Sequence, residues 1–97
     1  MIASTSHLKY GKALYNVAKD ANVGDKVLND MESLAHAFEN GALRKLMVEV
    51  CYLAASAQEK VLSVTFHGKV QEITMNLLVL LAREKKLSLV PQVAEIY

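Results

Sequence analysis

The chain has 97 residues, of which 53% are hydrophobic and 22% are charged, and its formal net charge is +1. This length fits one domain with a core of its own, and the near-neutral charge gives no electrostatic footprint for nucleic acid or an anionic membrane. No apolar run approaches the roughly 18 residues of a membrane-spanning helix, so no membrane insertion is expected. The single cysteine, Cys51, cannot form an intramolecular disulfide, which suits a reducing compartment.

Apolar residues recur at helical intervals of three and four along nearly the whole chain. The first helix is expected to begin at one of the capping residues 4–6 and to end near Asp20. Asp25 can cap a second helix, which Gly41 would end in the left-handed conformation, and a short third helix follows. The apolar stripes predicted for the second and third helices are Val27, Leu28, Met31, Leu34, Ala35 and Phe38, and then Leu43, Leu46, Met47 and Val50.

Three more helices are predicted in the second half. The sequence SAQE has the form of a capping box, so Ser56 and Glu59 are expected to open a fourth helix that ends at Gly68. A fifth helix is expected over residues 69–85, and Ser88 can cap a sixth. The apolar stripe of the sixth helix comprises Val90, Val93, Ala94 and Tyr97. The sequence therefore predicts an all-α fold, a compact bundle of about six helices in one domain.

No pattern for catalysis, for a cofactor or for a metal is present. Neither Gly-Lys pair completes a phosphate-binding loop, and His7, His36 and His67 lack the close pairing of a helical zinc site. Cys51 could be a reactive thiol, but the alternative of a small buried apolar residue is favoured. We therefore predict a protein that is not an enzyme, with no cofactor, no catalytic residue and no metal ligand.

The basic cluster Arg83, Lys85 and Lys86 follows the apolar run of the fifth helix. At a helix end these side chains complement the helix dipole, which is the favoured interpretation. A DNA-reading helix would instead carry basic and polar side chains along one exposed face, and no helix shows this pattern. A small helical DNA-binding domain and an unrelated helical protein-protein adaptor stay open as alternatives.

The fifth helix carries more apolar residues than one buried stripe needs. Its apolar residues divide into two arcs, Ile73, Leu77, Leu80 and Leu81 on one side and Met75, Leu78, Val79 and Ala82 on the other. Both arcs could be buried in a bundle, or one could form the wall of a groove for a partner helix. The first helix has a similar surplus, and Gly11 and Ala13 would let another backbone approach it closely.

Three segments resemble the delta subunit of bacterial and chloroplast F-type ATP synthases and its mitochondrial counterpart, the oligomycin-sensitivity-conferring subunit. They are LKYGKALYNVAKD at 8–20, QEKVLSVTF at 58–66 and NLLVLLAREKKLSLVPQVAEIY at 76–97. The family's opening Tyr-Ala-Lys-Ala-Leu-aromatic pattern is matched by Tyr10, Lys12, Ala13, Leu14 and Tyr15. Departures are Gly11 in place of an alanine, Lys85 and Lys86 near a usual Asn-Gly, and a longer stretch between Met47 and Glu59.

The resemblance implies the six-helix N-terminal domain of a stator subunit, peripheral on an energy-transducing membrane of mitochondria, plastids or bacteria. In the family this domain binds the N-terminal helix of an alpha subunit in a groove between its first and fifth helices. A second, C-terminal domain, which would follow Tyr97, contacts the b-type subunit of the peripheral stalk; no nucleic-acid partner is implied. Carried over by position, the groove residues are Tyr10, Ala13 and Leu80, and helical geometry extends the set to Leu14, Val17, Ile73 and Leu77.

Overall fold

The computed structural model describes residues 6–39 and 44–97. These residues form six α-helices and no strand, which confirms the predicted all-α bundle. The helices are α1 (Ser6–Asp20), α2 (Gly24–Glu39), α3 (Arg44–Val50), α4 (Ala55–Phe66), α5 (Glu72–Arg83) and α6 (Val90–Ile96), and a 3-10 turn at Leu87–Leu89 precedes α6. Gly41 and Leu43, and the possible caps at residues 4 and 5, lie outside the described residues.

Several predicted helix starts are wrong by one or two residues. Helix α4 begins at Ala55, so Ser56 lies inside its first turn and closes no capping box. Asp25 likewise lies inside the first turn of α2, where its charge still favours the helix N-terminus. Ser88 belongs to the 3-10 turn, and α6 begins at Val90 with Pro91 in its first turn.

The first turn of α4 is organised by a buried glutamine rather than by a capping box. The side chain of Gln58 is 1% exposed, and its Nε2 donates to the carbonyl oxygens of Leu53 at 2.9 Å and Cys51 at 3.3 Å. Glu59 points elsewhere and pairs with the Arg83 Nε at 3.0 Å. Glu59 of the predicted box therefore serves a tertiary contact instead of a cap.

Helix α5 is shorter at both ends than the predicted 69–85. Gly68 has a φ of +77° in the turn after α4, and Lys85 has a φ of +58° after the last turn of α5. The N-terminus of α5 is held from α2, because Asp30 Oδ2 accepts hydrogen bonds from the Gln71 backbone N–H and from Thr74 Oγ1, each at 2.8 Å. This contact fixes where α5 starts against α2.

The core lies between α5 and the other helices, with α4 packed on one side of α5 and α1 and α2 on others. Its fully buried side chains include Met31, Leu34, Met47, Leu62, Leu78, Leu81, Leu87, Val27, Val50, Val90 and Val93. Leu81 was grouped with Ile73, Leu77 and Leu80 in one arc of α5, and this grouping is wrong because Leu81 is 0% exposed. In the other arc, Leu78 and Ala82 are fully buried, whereas Met75 and Val79 are half-buried.

Gly11 allows another helix to approach α1 closely, as expected, and that helix is α6 of the same domain. A Cβ atom at Gly11 would lie 2.5 Å from Ile96 Cγ2 and 2.6 Å from Ile96 Cβ. Real Cβ atoms do not approach other carbon atoms so closely, so α1 and α6 pack at a distance that only glycine allows at this position. Tyr97 extends this contact, since its ring packs edge-on against Tyr15 and its Oη donates to the Gly24 carbonyl oxygen at 2.7 Å.

Candidate partner-binding groove

An open apolar groove of about 210 Å³ runs between α1 and α5. All seven site residues expected from the sequence line this groove, together with Asn76. They are Tyr10, Ala13, Leu14 and Val17 on α1, and Ile73, Leu77 and Leu80 on α5. The two helices, distant in the sequence, therefore bring the predicted residues to one place; their role in binding stays a prediction.

The lining divides into a buried floor and an exposed rim. Tyr10, Leu14 and Leu77 are only 6%, 4% and 7% exposed, so they are part of the domain's core as well as the groove floor. Val17 and Leu80 are 52% and 41% exposed and form the rim on opposite helices. The accessible apolar surface is therefore concentrated on the rim, whereas the family resemblance implied that all seven residues face the partner helix.

Ala13, Ile73 and Asn76 complete the lining. Ala13 is exposed, and its small side chain leaves space between the α1 and α5 rims. Asn76 is exposed on α5 and lines the groove beside Leu77 and Leu80. The sequence contains no signal for this role, because a polar residue at the edge of an apolar arc is also typical of an ordinary solvated border.

A polar cluster lies beside Tyr10 at one end of the groove. The Tyr10 hydroxyl donates to Glu84 Oε1. Lys86 Nζ lies 3.8 Å from the same carboxylate oxygen and 5.9 Å from the centre of the Tyr10 ring. The hydrogen bond to Glu84, followed by burial, raises the pKa of Tyr10 to about 12, so its phenol is protonated at neutral pH. This contact places the first half of α1 beside the C-terminal end of α5.

Among the described residues, no group of three or more His, Cys, Asp or Glu side chains is placed to hold a metal ion. Cys51 is half-buried, its Sγ donates to the Met47 carbonyl oxygen at 3.3 Å, and burial raises the pKa of its thiol. This environment favours the buried apolar interpretation of Cys51 over the reactive one. His36 lies exposed in α2, and His67 lies exposed in the turn that follows α4.

Within 6–39 and 44–97, every helix is too short or too polar to cross a bilayer. The two ion pairs of this part of the chain, Arg83–Glu59 and Lys86–Glu84, both involve the basic cluster after α5. The cluster that the sequence assigned to the helix dipole therefore also has specific partners inside the domain.

The fold and the groove define a class of protein, a six-helix bundle with an open apolar groove between its first and fifth helices. A family model, the ATP synthase delta (OSCP) subunit, matches residues 7–97, and the chain belongs to this family. No curated protein and no solved structure matches the chain. Membership gives the domain a role in the stator of ATP synthase, in a non-catalytic subunit that is peripheral on an energy-transducing membrane. Family membership therefore favours the stator role over the adaptor and DNA-binding alternatives.

Proposed function

We propose that the domain binds the N-terminal amphipathic helix of an alpha subunit in the groove between α1 and α5. The proposal makes the chain the N-terminal domain of a two-domain stator subunit, whose second domain contacts the b-type subunit of the peripheral stalk. The observation that carries it is the convergence of all seven expected residues on one apolar groove in a member of this family. The contact performs no chemistry and holds the catalytic head against the torque of the rotor.

The size and character of the groove suit one face of a helix. Its two rims carry Val17 and Leu80, which are about half exposed, and an apolar stripe at helical spacing would cover both at once. Complete burial of a Val or Leu side chain contributes roughly 1.5–3 kcal/mol, so covering the exposed half contributes about 1 kcal/mol for each rim residue. The partner's own apolar side chains add a comparable amount before the cost of ordering is subtracted.

The floor gives the groove the rigidity that a stator contact needs. Leu14 and Leu77 belong to the buried core, so neither can move without disturbing the packing of α1 on α5. The N-terminus of α5 is fixed to α2 through Asp30. A partner helix would therefore meet a preformed surface, which lowers the entropic cost of binding.

The test is the substitution Leu80→Asp, measured with a peptide of the alpha-subunit N-terminal helix. A carboxylate on the rim would be desolvated by the bound helix, so we expect the affinity to fall at least about 30-fold. Because Leu80 is 41% exposed, the free domain should keep its helical circular dichroism signal. Isothermal titration calorimetry gives the affinity of each variant.

Leu28→Asp is the matched control, since Leu28 is 37% exposed on α2 and lies outside the groove. It introduces the same charge at a similar exposed leucine, and we expect it to bind the peptide as tightly as the wild type. Binding by Leu80→Asp with wild-type affinity would show that the peptide binds elsewhere. Unfolding of Leu80→Asp would show that Leu80 is a core residue and that the rim assignment is wrong.

A further inference from the structure

The turn 83–86 ties three separate segments of the domain together. Arg83 Nε pairs with Glu59 of α4 at 3.0 Å, and Lys85 Nζ donates to the Leu53 carbonyl oxygen, between α3 and α4, at 2.8 Å. The Glu84 carboxylate accepts a hydrogen bond from the hydroxyl of Tyr10 in α1. A group of side chains that only complemented the helix dipole would not need these partners.

The backbone of this turn directs the side chains to their partners. The Lys86 N–H donates to the Leu81 carbonyl oxygen at 2.8 Å, and the Lys85 N–H donates to the Ala82 carbonyl oxygen at 3.1 Å. With Lys85 in the left-handed conformation, this is the Schellman arrangement of a helix C-terminus. The chain reverses direction at Lys85, so the Lys86 side chain returns to the Glu84 carboxylate and to the Tyr10 ring.

The Tyr10 ring forms part of the groove floor, and its hydroxyl is held through this contact. The ring is 6% exposed, and the hydroxyl has its acceptor on Glu84. A buried hydroxyl that loses its acceptor is destabilised, and water then becomes its next partner. The Glu84 side chain is 42% exposed, so its removal opens the hydroxyl to water and leaves the Tyr10 ring without the contact that fixes its direction in the floor.

We propose that Glu84 is a positioning residue of the groove, which holds the Tyr10 ring in the floor while Lys86 holds Glu84. The proposal rests on the proposed function in one respect, namely that the groove is the surface that binds the partner helix. The Glu84 side chain is not itself part of the groove lining and acts through Tyr10, the lining residue whose hydroxyl it holds. Its distance from Tyr10 in the sequence, 74 residues, makes this role invisible to any local pattern.

Peptide affinity of Glu84 variants is the first measurement. We expect Glu84→Ala to weaken binding of the alpha-subunit peptide about 5- to 10-fold, because the part-buried hydrogen bond that holds the Tyr10 ring in the floor is lost. Glu84→Gln should remain within about 2-fold of the wild type, since its amide oxygen accepts the same hydrogen bond. Glu59→Ala is the control: it removes the exposed ion pair of Arg83 in the same turn without touching Tyr10, and we expect no measurable change.

A double-mutant cycle with Tyr10→Phe separates positioning from a general loss of stability. If Glu84 acts through the Tyr10 hydroxyl, Glu84→Ala should weaken binding no further in the Tyr10→Phe background. An equal loss in both backgrounds would overturn the proposal, as would a loss in Glu84→Gln as large as that in Glu84→Ala.

The second measurement needs no partner. Methyl groups of Ala13 and Leu80 line the same groove as the Tyr10 ring, so their NMR chemical shifts report the position of the ring. Glu84→Ala should change these shifts and Glu84→Gln should not, while thermal unfolding identifies any variant that fails to fold. If wild type does not bind the peptide but the methyl shifts respond in this way, the positioning role holds and the proposed partner is wrong. Unchanged methyl shifts in Glu84→Ala would overturn the positioning role whatever the peptide does.

Discussion

Gly11→Ala tests the closest helix contact of the fold, and two opposing effects determine its sign. In an exposed helix interior this change stabilises by about 0.8–1.0 kcal/mol, because alanine loses less backbone entropy on folding. At Gly11 the new methyl group would lie 2.5 Å from Ile96 Cγ2 and 2.6 Å from Ile96 Cβ. These atoms are close to the backbone of a β-branched residue, so rotation of a flexible side chain cannot relieve the overlap.

The overlap therefore has to be relieved by moving α6 away from α1. Inserting a methyl group into a well-packed contact costs roughly 1–3 kcal/mol, and the upper part of this range applies where backbone must shift. After the gain in helix propensity is subtracted, we expect Gly11→Ala to lower the free energy of unfolding by about 1–2 kcal/mol. For a domain of this size each kcal/mol lowers the melting temperature by about 4–8 °C.

Urea denaturation and thermal unfolding, both followed by circular dichroism, measure this change. Gly24→Ala is the matched control, since its new methyl group would lie 3.7 Å from Tyr97 Oη, an ordinary contact. We expect a change within about 0.5 kcal/mol for the control. Ile96→Ala removes the overlap with Cγ2 but keeps the one with Cβ, so the cost of Gly11→Ala should be only partly reduced in that background. If Gly11→Ala instead stabilises the wild type by about 1 kcal/mol, the described approach of α1 to α6 is wrong.

Two further predictions concern the anchoring of α5 and the alkaline limit of stability. Asp30→Ala removes the hydrogen-bond acceptor of the Gln71 N–H and of the hydroxyl of Thr74, a residue that is 0% exposed. We expect the free energy of unfolding, measured in urea, to fall by about 1–3 kcal/mol. Unchanged stability would show that water replaces the carboxylate. Folding raises the pKa of Tyr10 to about 12, so the phenol deprotonates at lower pH in the unfolded chain than in the folded domain. The stabilisation that Tyr10 provides is therefore complete below about pH 10 and is lost as the pH rises toward 12. Tyr10→Phe should therefore lose less stability between pH 9 and pH 11 than the wild type, whereas Tyr52→Phe, at a side chain 84% exposed, should follow the wild type.

The helices and the composition of the groove could be predicted from the sequence. The intervals of three and four between apolar residues are a local property of each helix, and so is the surplus of apolar residues on the first and fifth helices. The assignment of Tyr10, Ala13 and Leu80 to one groove required the family resemblance, because periodicity separates two faces without telling which one is covered. The structure brings these residues together, and the binding role remains to be measured.

The helix caps could not be predicted because tertiary contacts replaced the local ones. Ser56 and Glu59 have the spacing of a capping box, but Glu59 pairs with Arg83 instead, and Gln58 supplies the hydrogen bonds near the start of α4. For α5 the acceptor comes from Asp30 on another helix, 41 residues away from Gln71. A capping side chain can belong to any helix packed nearby, and sequence spacing records only the local candidates.

By itself the sequence determined the helical class, the approximate extent of the helices and the presence of two apolar faces on α5. Only the tertiary structure decided that Leu81 is fully buried while its neighbour Leu80 forms the rim, and that Gly11 serves the contact with α6 rather than a partner. It also decided that Glu84 accepts a hydrogen bond from Tyr10, 74 residues away in the sequence. The physical reason is the same in each case: the period of a helix is set by its own backbone, whereas its rotation about its axis is set by the helices that pack against it.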